Sequence, residues 1–182
     1  MSSKKSEAEE TEELIKSRIR AIPDYPKPGI TFRDITPLLK DSVAFSKCID
    51  LLADRVSAYD FDYIAGIEAR GFIVASALAY KLGRGLIPIR KKGKLPYSKI
   101  SKSYQLEYGI ETIEVHSDSV ERGSGVLIAD DLLATGGTAS AGADLIRDLG
   151  AEVKGYAFIV ELEFLGGRTR LGDRDICSLV KY

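Results

Sequence analysis

A chain of 182 residues is long enough for one domain with a sizeable core. Hydrophobic residues make up 45%, charged residues 29%, and the net charge is −1, so nothing global points to nucleic acid or an anionic membrane surface as partner. No stretch is apolar enough to span a bilayer and Met1–Lys5 lacks the core of a signal peptide, which makes the reducing cytoplasm the expected compartment.

Residues 1–13 are polar and charge-mixed and are expected to be flexible. Leu14, Ile15, Ile19 and Ile22 then have the spacing of a short amphipathic helix, with too balanced a charge for a basic DNA-binding arm. Pro23, Pro26, Pro28 and Gly29 break it and impose an extended bend. Ile30–Pro37 follows as a well-fixed loop, and its residues fit a linker packing Phe32 on the core as well as a flat wall for a base. A helix is expected over Ser42–Tyr59, burying Val43, Phe45, Cys48, Ile49, Leu52 and Val56. Asp62–Ile67 reads as a buried strand ending in the polar turn Glu68-Ala69-Arg70-Gly71, with a helix running on to Gly83. Gly85–Arg90 is the next strand, and this alternation implies parallel strands with right-handed crossovers.

The most basic stretch comes next, from Lys91 through Lys94 and Lys99 to Lys102. A basic run is commonly a solvated loop, but its place directly after a parallel strand favours a lid over an anionic ligand. Ser103–Gly109 and Glu111–His116 alternate like an antiparallel hairpin. Lys154–Leu162 is a further buried strand, and Ile176–Val180 reads as an edge strand. Cys48 and Cys177 sit in apolar patterns, as buried free thiols do, and the single histidine, His116, is expected on the surface and excludes a histidine-rich metal cluster.

The most informative stretch is Val126–Thr138, VLIADDLLATGGT. An apolar strand leads into Asp130 and Asp131, then the turn Ala134-Thr135-Gly136-Gly137-Thr138, then a helical pattern that stops at Gly150. Gly136 and Gly137 let the backbone approach a ligand, successive N–H groups in such a turn attract an anion, and the helix dipole adds to this. The acids would repel a phosphate, but they suit hydroxyls or a metal ion attached to it. An ordinary strand–turn–helix corner would not need acids and hydroxyls around its glycines, so the combination points to a phosphorylated sugar.

Together these residues resemble the purine phosphoribosyltransferases, and among them the adenine phosphoribosyltransferase family. The likeness runs from about Ile19 to the C-terminus and rests on VLIADDLLATGGT, PKPGITFRDITP, IEARGF, RKKGKLP, YQLEYG and VELEFLGGR in the right order. It implies an α/β fold with a central, mainly parallel sheet flanked by helices, the type I phosphoribosyltransferase fold. One domain over 1–182 would carry a base-binding hood at 14–40 and a flexible catalytic loop, the hairpin-borne lid, at 91–109. It implies transfer of phosphoribose from its 1-diphosphate to N9 of adenine, giving AMP and pyrophosphate, in a homodimer that needs no nucleic acid or membrane. Ala134, Thr135, Gly136, Gly137 and Thr138 would hold the 5-phosphate, and Asp130 and Asp131 the ribose hydroxyls, beside a sugar carbon that becomes cationic. Arg70 with the turn Glu68, Ala69 and Gly71 would hold pyrophosphate, and Arg90, Lys91 and Lys94 would neutralise it. Magnesium would bridge substrate oxygens with no direct protein ligand expected. Thr31, Phe32, Arg33 and Leu162 would form the base pocket, with Glu107 acting at adenine N7 and Tyr108 beside it.

The sequence departs from the family pattern at Ala69, where a serine is usual, at Tyr97, where the lid usually has glycine, and at Thr31, where an aliphatic residue is common. The acid-pair motif alone also fits a transferase for another base, or a non-catalytic regulator that senses the diphosphate. The latter usually carries a DNA-binding domain, of which the sequence has no sign.

Overall fold

A computed structural model describes residues 5–105 and 109–182. The chain divides into two compact units, residues 1–51 and 52–182. The first opens with helix α1 (Glu7–Ser17), which starts inside the stretch expected to be flexible and ends before Ile19. A capping box sets its start: Ser6 Oγ accepts from the Glu9 N–H, and Glu9 returns the contact to the Ser6 N–H at 2.7 Å. Strand β1 (Arg20–Ile22), containing the last isoleucine of the expected helix, pairs antiparallel with β2 (Phe32–Asp34). The segment expected as a loop is therefore half of a two-stranded ribbon. Between the strands, Tyr25 meets the Phe32 ring edge-on at 5.4 Å. Helix α2 (Thr36–Lys40) follows, and Asp41 caps helix α3 (Ser42–Val56) by accepting from the Ala44 N–H at 3.0 Å. Its buried row is Ala44, Cys48, Leu52 and Val56, one residue in four. Val43 lies one position off that row and is 61% exposed, contrary to the sequence reading.

The second unit is built on a seven-stranded sheet. Its strands are β3 (Tyr63–Ile67), β4 (Gly85–Lys91), β5 (Lys99–Gln105), β6 (Ile110–His116), β7 (Gly125–Leu133), β8 (Glu152–Glu161) and β9 (Asp175–Lys181), in the order β5-β6-β4-β3-β7-β8-β9. From β4 to β9 every pairing is parallel; β6 pairs antiparallel with β4, and β5 with β6. Strand β9 is the edge that the sequence suggested. The basic stretch expected as one loop over 91–109 instead contains a full strand, because Lys99–Gln105 pairs residue for residue with Ile110–His116.

Two helices cover opposite faces, as strand alternation shows. Ala65, Ile67, Val126 and Ile128 share a core with Ala139, Ala143, Leu145 and Ile146 of helix α5 (Gly137–Asp148). Gly66 faces the other way, against helix α4 (Arg70–Leu82), where a Cβ would come within 2.6 Å of the Ala75 methyl. Each helix starts just past the carboxyl end of β3 or β7, and these strands are parallel neighbours, with Gly66 beside Ala129. The two polar turns of the sequence thus meet at one end of the sheet. A short helix α6 (Gly167–Leu171) precedes β9. Both cysteines are buried and neither is in a disulfide, and burial pushes the Cys48 thiol up to about 12. His116 is half-buried with its ring edge-on to Tyr97, a correction to the surface placement.

Candidate active site

At the carboxyl ends of β3, β4 and β7 lies a cavity of about 320 Å³. Glu68, Ala69 and Arg70 from the first turn, Lys91 from β4, Asp130 and Asp131 from β7 and Thr138 from α5 all line it, so residues far apart in sequence meet there. Both acids lie inside β7, which continues through Leu133, rather than after the strand. Five wall residues are missing from the sequence reading of the site: Ile67 and Leu132 on the parallel strands, and Tyr104, Glu111 and Ile113 on the hairpin. Tyr104 and Glu111 are directly paired across β5 and β6. Glu111 is also in step with buried Ile113 and Val115, a period-two row visible in the sequence.

The acid pair is held tightly. Asp130 Oδ1 accepts from the Asp131 N–H at 2.9 Å. Helix α4 approaches so closely that a Cβ on Gly71 would lie 2.5 Å from Asp130 Oδ1, which explains the glycine after Arg70. Asp131 is buried, and its Oδ2 is 2.9 Å from Arg70 Nε but out of hydrogen-bond alignment. Burial raises the pKa of both carboxyls. For Asp130 the neighbouring Asp131 charge adds to the rise, whereas for Asp131 the Arg70 guanidinium opposes it.

The cations around the cavity each face a carboxylate. Arg70 meets Asp131, Arg90 Nε is 3.3 Å from Glu68 Oε2, and Lys91 Nζ is 2.5 Å from Glu111 Oε1. Glu68 also accepts from the Lys91 N–H at 2.9 Å, and this bond, then Arg90, holds its carboxyl below the usual range against burial. The carbonyl of Lys94 accepts from Arg90 Nη1. On the hairpin, Tyr104 donates to Glu111 at 2.8 Å and accepts from Thr138 Oγ1 at 3.0 Å, and burial pushes the phenol up to about 12.

Ala134–Thr138 forms the turn between β7 and α5. Gly136 caps the helix at φ +76°, a conformation that favours glycine, and a Cβ there would lie 2.6 Å from the Gly167 carbonyl. Gly167 in turn sits where a Cβ would be 2.3 Å from the Ala134 carbonyl. Behind the turn, Arg168 donates to both oxygens of buried Glu161 at 2.6 and 2.8 Å, and Ser178 donates to the same carboxylate. Leu162 is fixed by its N–H on the Leu133 carbonyl at 2.9 Å and is not part of the cavity wall described. Thr31, Phe32 and Arg33 belong to the first unit, with Phe32 and Arg33 on β2. Glu107 and Tyr108 lie outside the described residues.

Residues 36–174 match the family model described as a phosphoribosyl transferase domain. The chain is 56% identical to an adenine phosphoribosyltransferase of Thermotoga neapolitana, over 92% of this chain and 99% of that one. Among solved structures it is similar to the adenine phosphoribosyltransferase of Thermoanaerobacter pseudethanolicus, with a TM-score of 0.92 and 51% identity over 94% of this chain and 99% of that one. A similar fold is seen in the Saccharomyces cerevisiae enzyme complexed with an imino-altritol bisphosphate and adenine, with a TM-score of 0.88 and 36% identity over 94% and 99% of the two chains. With the strand–acid–turn–helix site and these likenesses over nearly its whole length, the chain belongs to the adenine phosphoribosyltransferase family.

Proposed function

We propose that this chain transfers 5-phosphoribose from 5-phospho-α-D-ribose 1-diphosphate to N9 of adenine, giving AMP and pyrophosphate. The observation that carries the reading is that Thr138, at the end of a phosphate-type turn, the acid pair Asp130 and Asp131, and the arginine-bearing turn Glu68–Arg70 line one cavity. The 5-phosphate sits on Ala134–Thr138 at the start of α5. The ribose hydroxyls face Asp130 and Asp131. When the C1–O bond to pyrophosphate breaks, positive charge grows on the sugar, and these carboxylates stabilise it. Pyrophosphate leaves toward Arg70, Arg90, Lys91 and Lys94 with the backbone of Glu68–Gly71. The C1–N9 bond then forms and the N9 proton is lost, helped by Glu107 at N7. Thr31, Phe32 and Arg33, and separately Leu162, are assigned to the adenine base by likeness to the family, as is Tyr108 next to Glu107 in the chain, and the 91–109 segment excludes water that would otherwise capture the sugar.

The donor chemistry fits magnesium: Asp130 and Asp131 are hard oxygen donors on the wall, and Asp131 Oδ2 has no aligned hydrogen-bond partner. These two carboxylates would hold the ion's hydration shell, with substrate oxygens as its main ligands, and the ion would supply charge neutralisation to the diphosphate. The working form in this reading is a cytoplasmic homodimer acting in purine salvage. Ile73 and Tyr80, both exposed and two turns apart on α4, give a second copy an apolar surface to cover. Among the described residues no helix is long and apolar enough to cross a membrane. A panel of adenine, hypoxanthine, guanine, xanthine and orotate with magnesium and the donor tests the assignment. Adenine is expected to react fastest by a wide margin; a faster reaction with another base would replace the acceptor and leave the donor site standing.

A further inference from the structure

Three cation–carboxylate pairs surround the cavity, and one stands apart. Arg70 meets an acid assigned to ribose and Arg90 an acid of the diphosphate turn, but Lys91 meets Glu111, which has no part in the chemistry proposed above. Glu111 reaches into the cavity from β6, the Lys91 Nζ–Oε1 distance is 2.5 Å, and the Tyr104 hydroxyl donates to its other oxygen, Oε2, at 2.8 Å. The tyrosine is itself tied to Thr138 at the head of α5. Glu111 is thus held by a buried phenol while its partner is a lysine on a four-carbon stem, 53% exposed at its side chain. Of the two, Lys91 is the one free to swing.

We propose that Glu111 acts as an internal stand-in for pyrophosphate: it competes for the Lys91 ammonium and so weakens the hold of the site on pyrophosphate. This rests on the reading of the cavity as a diphosphate site. The physical reason is an exchange. An anion arriving at Lys91 gains a charge-assisted contact only by breaking one that already exists, and it enters beside a second negative charge. On departure the carboxylate takes the lysine back. Binding energy common to donor and product is thereby reduced, which favours release of a product that three or four cations would otherwise retain. Glu111 does not touch the reacting carbon, so it is a positioning residue acting through Lys91.

The test compares magnesium pyrophosphate binding by titration calorimetry in the full-length protein and in Glu111→Gln, Lys91→Ala and the double variant. Glutamine keeps an acceptor for Tyr104 and the side-chain volume. In Glu111→Gln the Kd for pyrophosphate is expected to fall about three- to tenfold, with less gain at high salt. In the Lys91→Ala background the same change is expected to give a clearly smaller gain, a coupling that a purely structural role would not produce. An unchanged or higher Kd in Glu111→Gln, with unfolding temperatures matched, overturns the proposal. Equal gains in both backgrounds assign the effect to the general field and overturn the stand-in role. If the unaltered protein binds no pyrophosphate, the diphosphate reading fails first, so the two failures are distinct.

Discussion

At the scale of single residues, Asp130 sets the most instructive conflict. Its carboxylate is desolvated and sits beside a second acid, and both effects raise its pKa. A folded-state pKa above the unfolded value makes stability fall as pH rises from the unfolded pKa through the folded one. Above the unfolded pKa the acid therefore costs stability, as functional groups often do. Asp130→Asn retains an oxygen for the Asp131 N–H and is expected to raise the unfolding temperature at pH 8 by roughly 2–6 °C. It is also expected to lower phosphoribosyl transfer by about a hundredfold or more, since the charge facing the cationic sugar is lost. Below the unfolded pKa of aspartate the thermal gain should vanish. Calorimetric melts at pH 3.5 and 8, with a turnover assay, check all three statements. A variant less stable than the parent at pH 8 would assign the acid a structural role. Much of this was legible in the sequence, because two acids beside a glycine turn ask for more than phosphate. Glu111 and Tyr104 were harder to read: their alternation is plain, but which face of a hairpin meets a site is decided by pairing with β4, a contact distant in sequence.

At the scale of elements, the turn Ala134–Thr138 leans on a second segment, which the sequence marks only by the stretch VELEFLGGR. Gly167 approaches the Ala134 carbonyl so closely that any side chain must push the turn away. Gly167→Ala is expected to cost about 1–3 kcal/mol of stability and to raise the KM for the diphosphate donor more than it lowers kcat. Denaturant unfolding and steady-state kinetics measure the two effects, and an unaltered KM would show that the turn can yield without losing its anion site. The same segment anchors itself through Arg168. Burial opposes the Glu161 carboxylate, but the hydrogen bonds from Arg168 and Ser178 outweigh it and hold its pKa below the usual range. Here the sign is the reverse of that at Asp130: the contribution is present above the unfolded pKa and lost as pH falls through the folded one. Arg168→Ala strands a buried carboxylate and is expected to destabilise the protein by about 2–4 kcal/mol at pH 7, and by less at pH 4. Equal losses at both pH values would remove the charge from the explanation. The parallel strands and two helices behind the site were readable from apolar runs and glycine stops. The strand Lys99–Gln105 was not, since a sequence with Lys99, Lys102, Ser101 and Ser103 has no buried face of its own and takes its form from β6.

At the scale of the whole molecule, the fold brings opposite charges to one end of a parallel sheet and keeps them paired with one another. Order β4-β3-β7 sets the arginine turn beside the phosphate turn, and α4 and α5 on opposite faces both start there. This arrangement is what the crossover pattern of the sequence implied. The acceptor side was less legible: Thr31, Phe32 and Arg33 are read by likeness to the family, because an apolar loop looks the same whether it packs on a core or on a base. In the proposed reaction the turn Ala134–Thr138 and the acids Asp130 and Asp131 together hold one phosphoribosyl group. A crystal structure with AMP bound tests this most directly. The 5-phosphate is expected on the N–H groups of the turn and both ribose hydroxyls on the two carboxylates; AMP seated elsewhere, or with its ribose turned away from Asp130 and Asp131, would contradict this assignment.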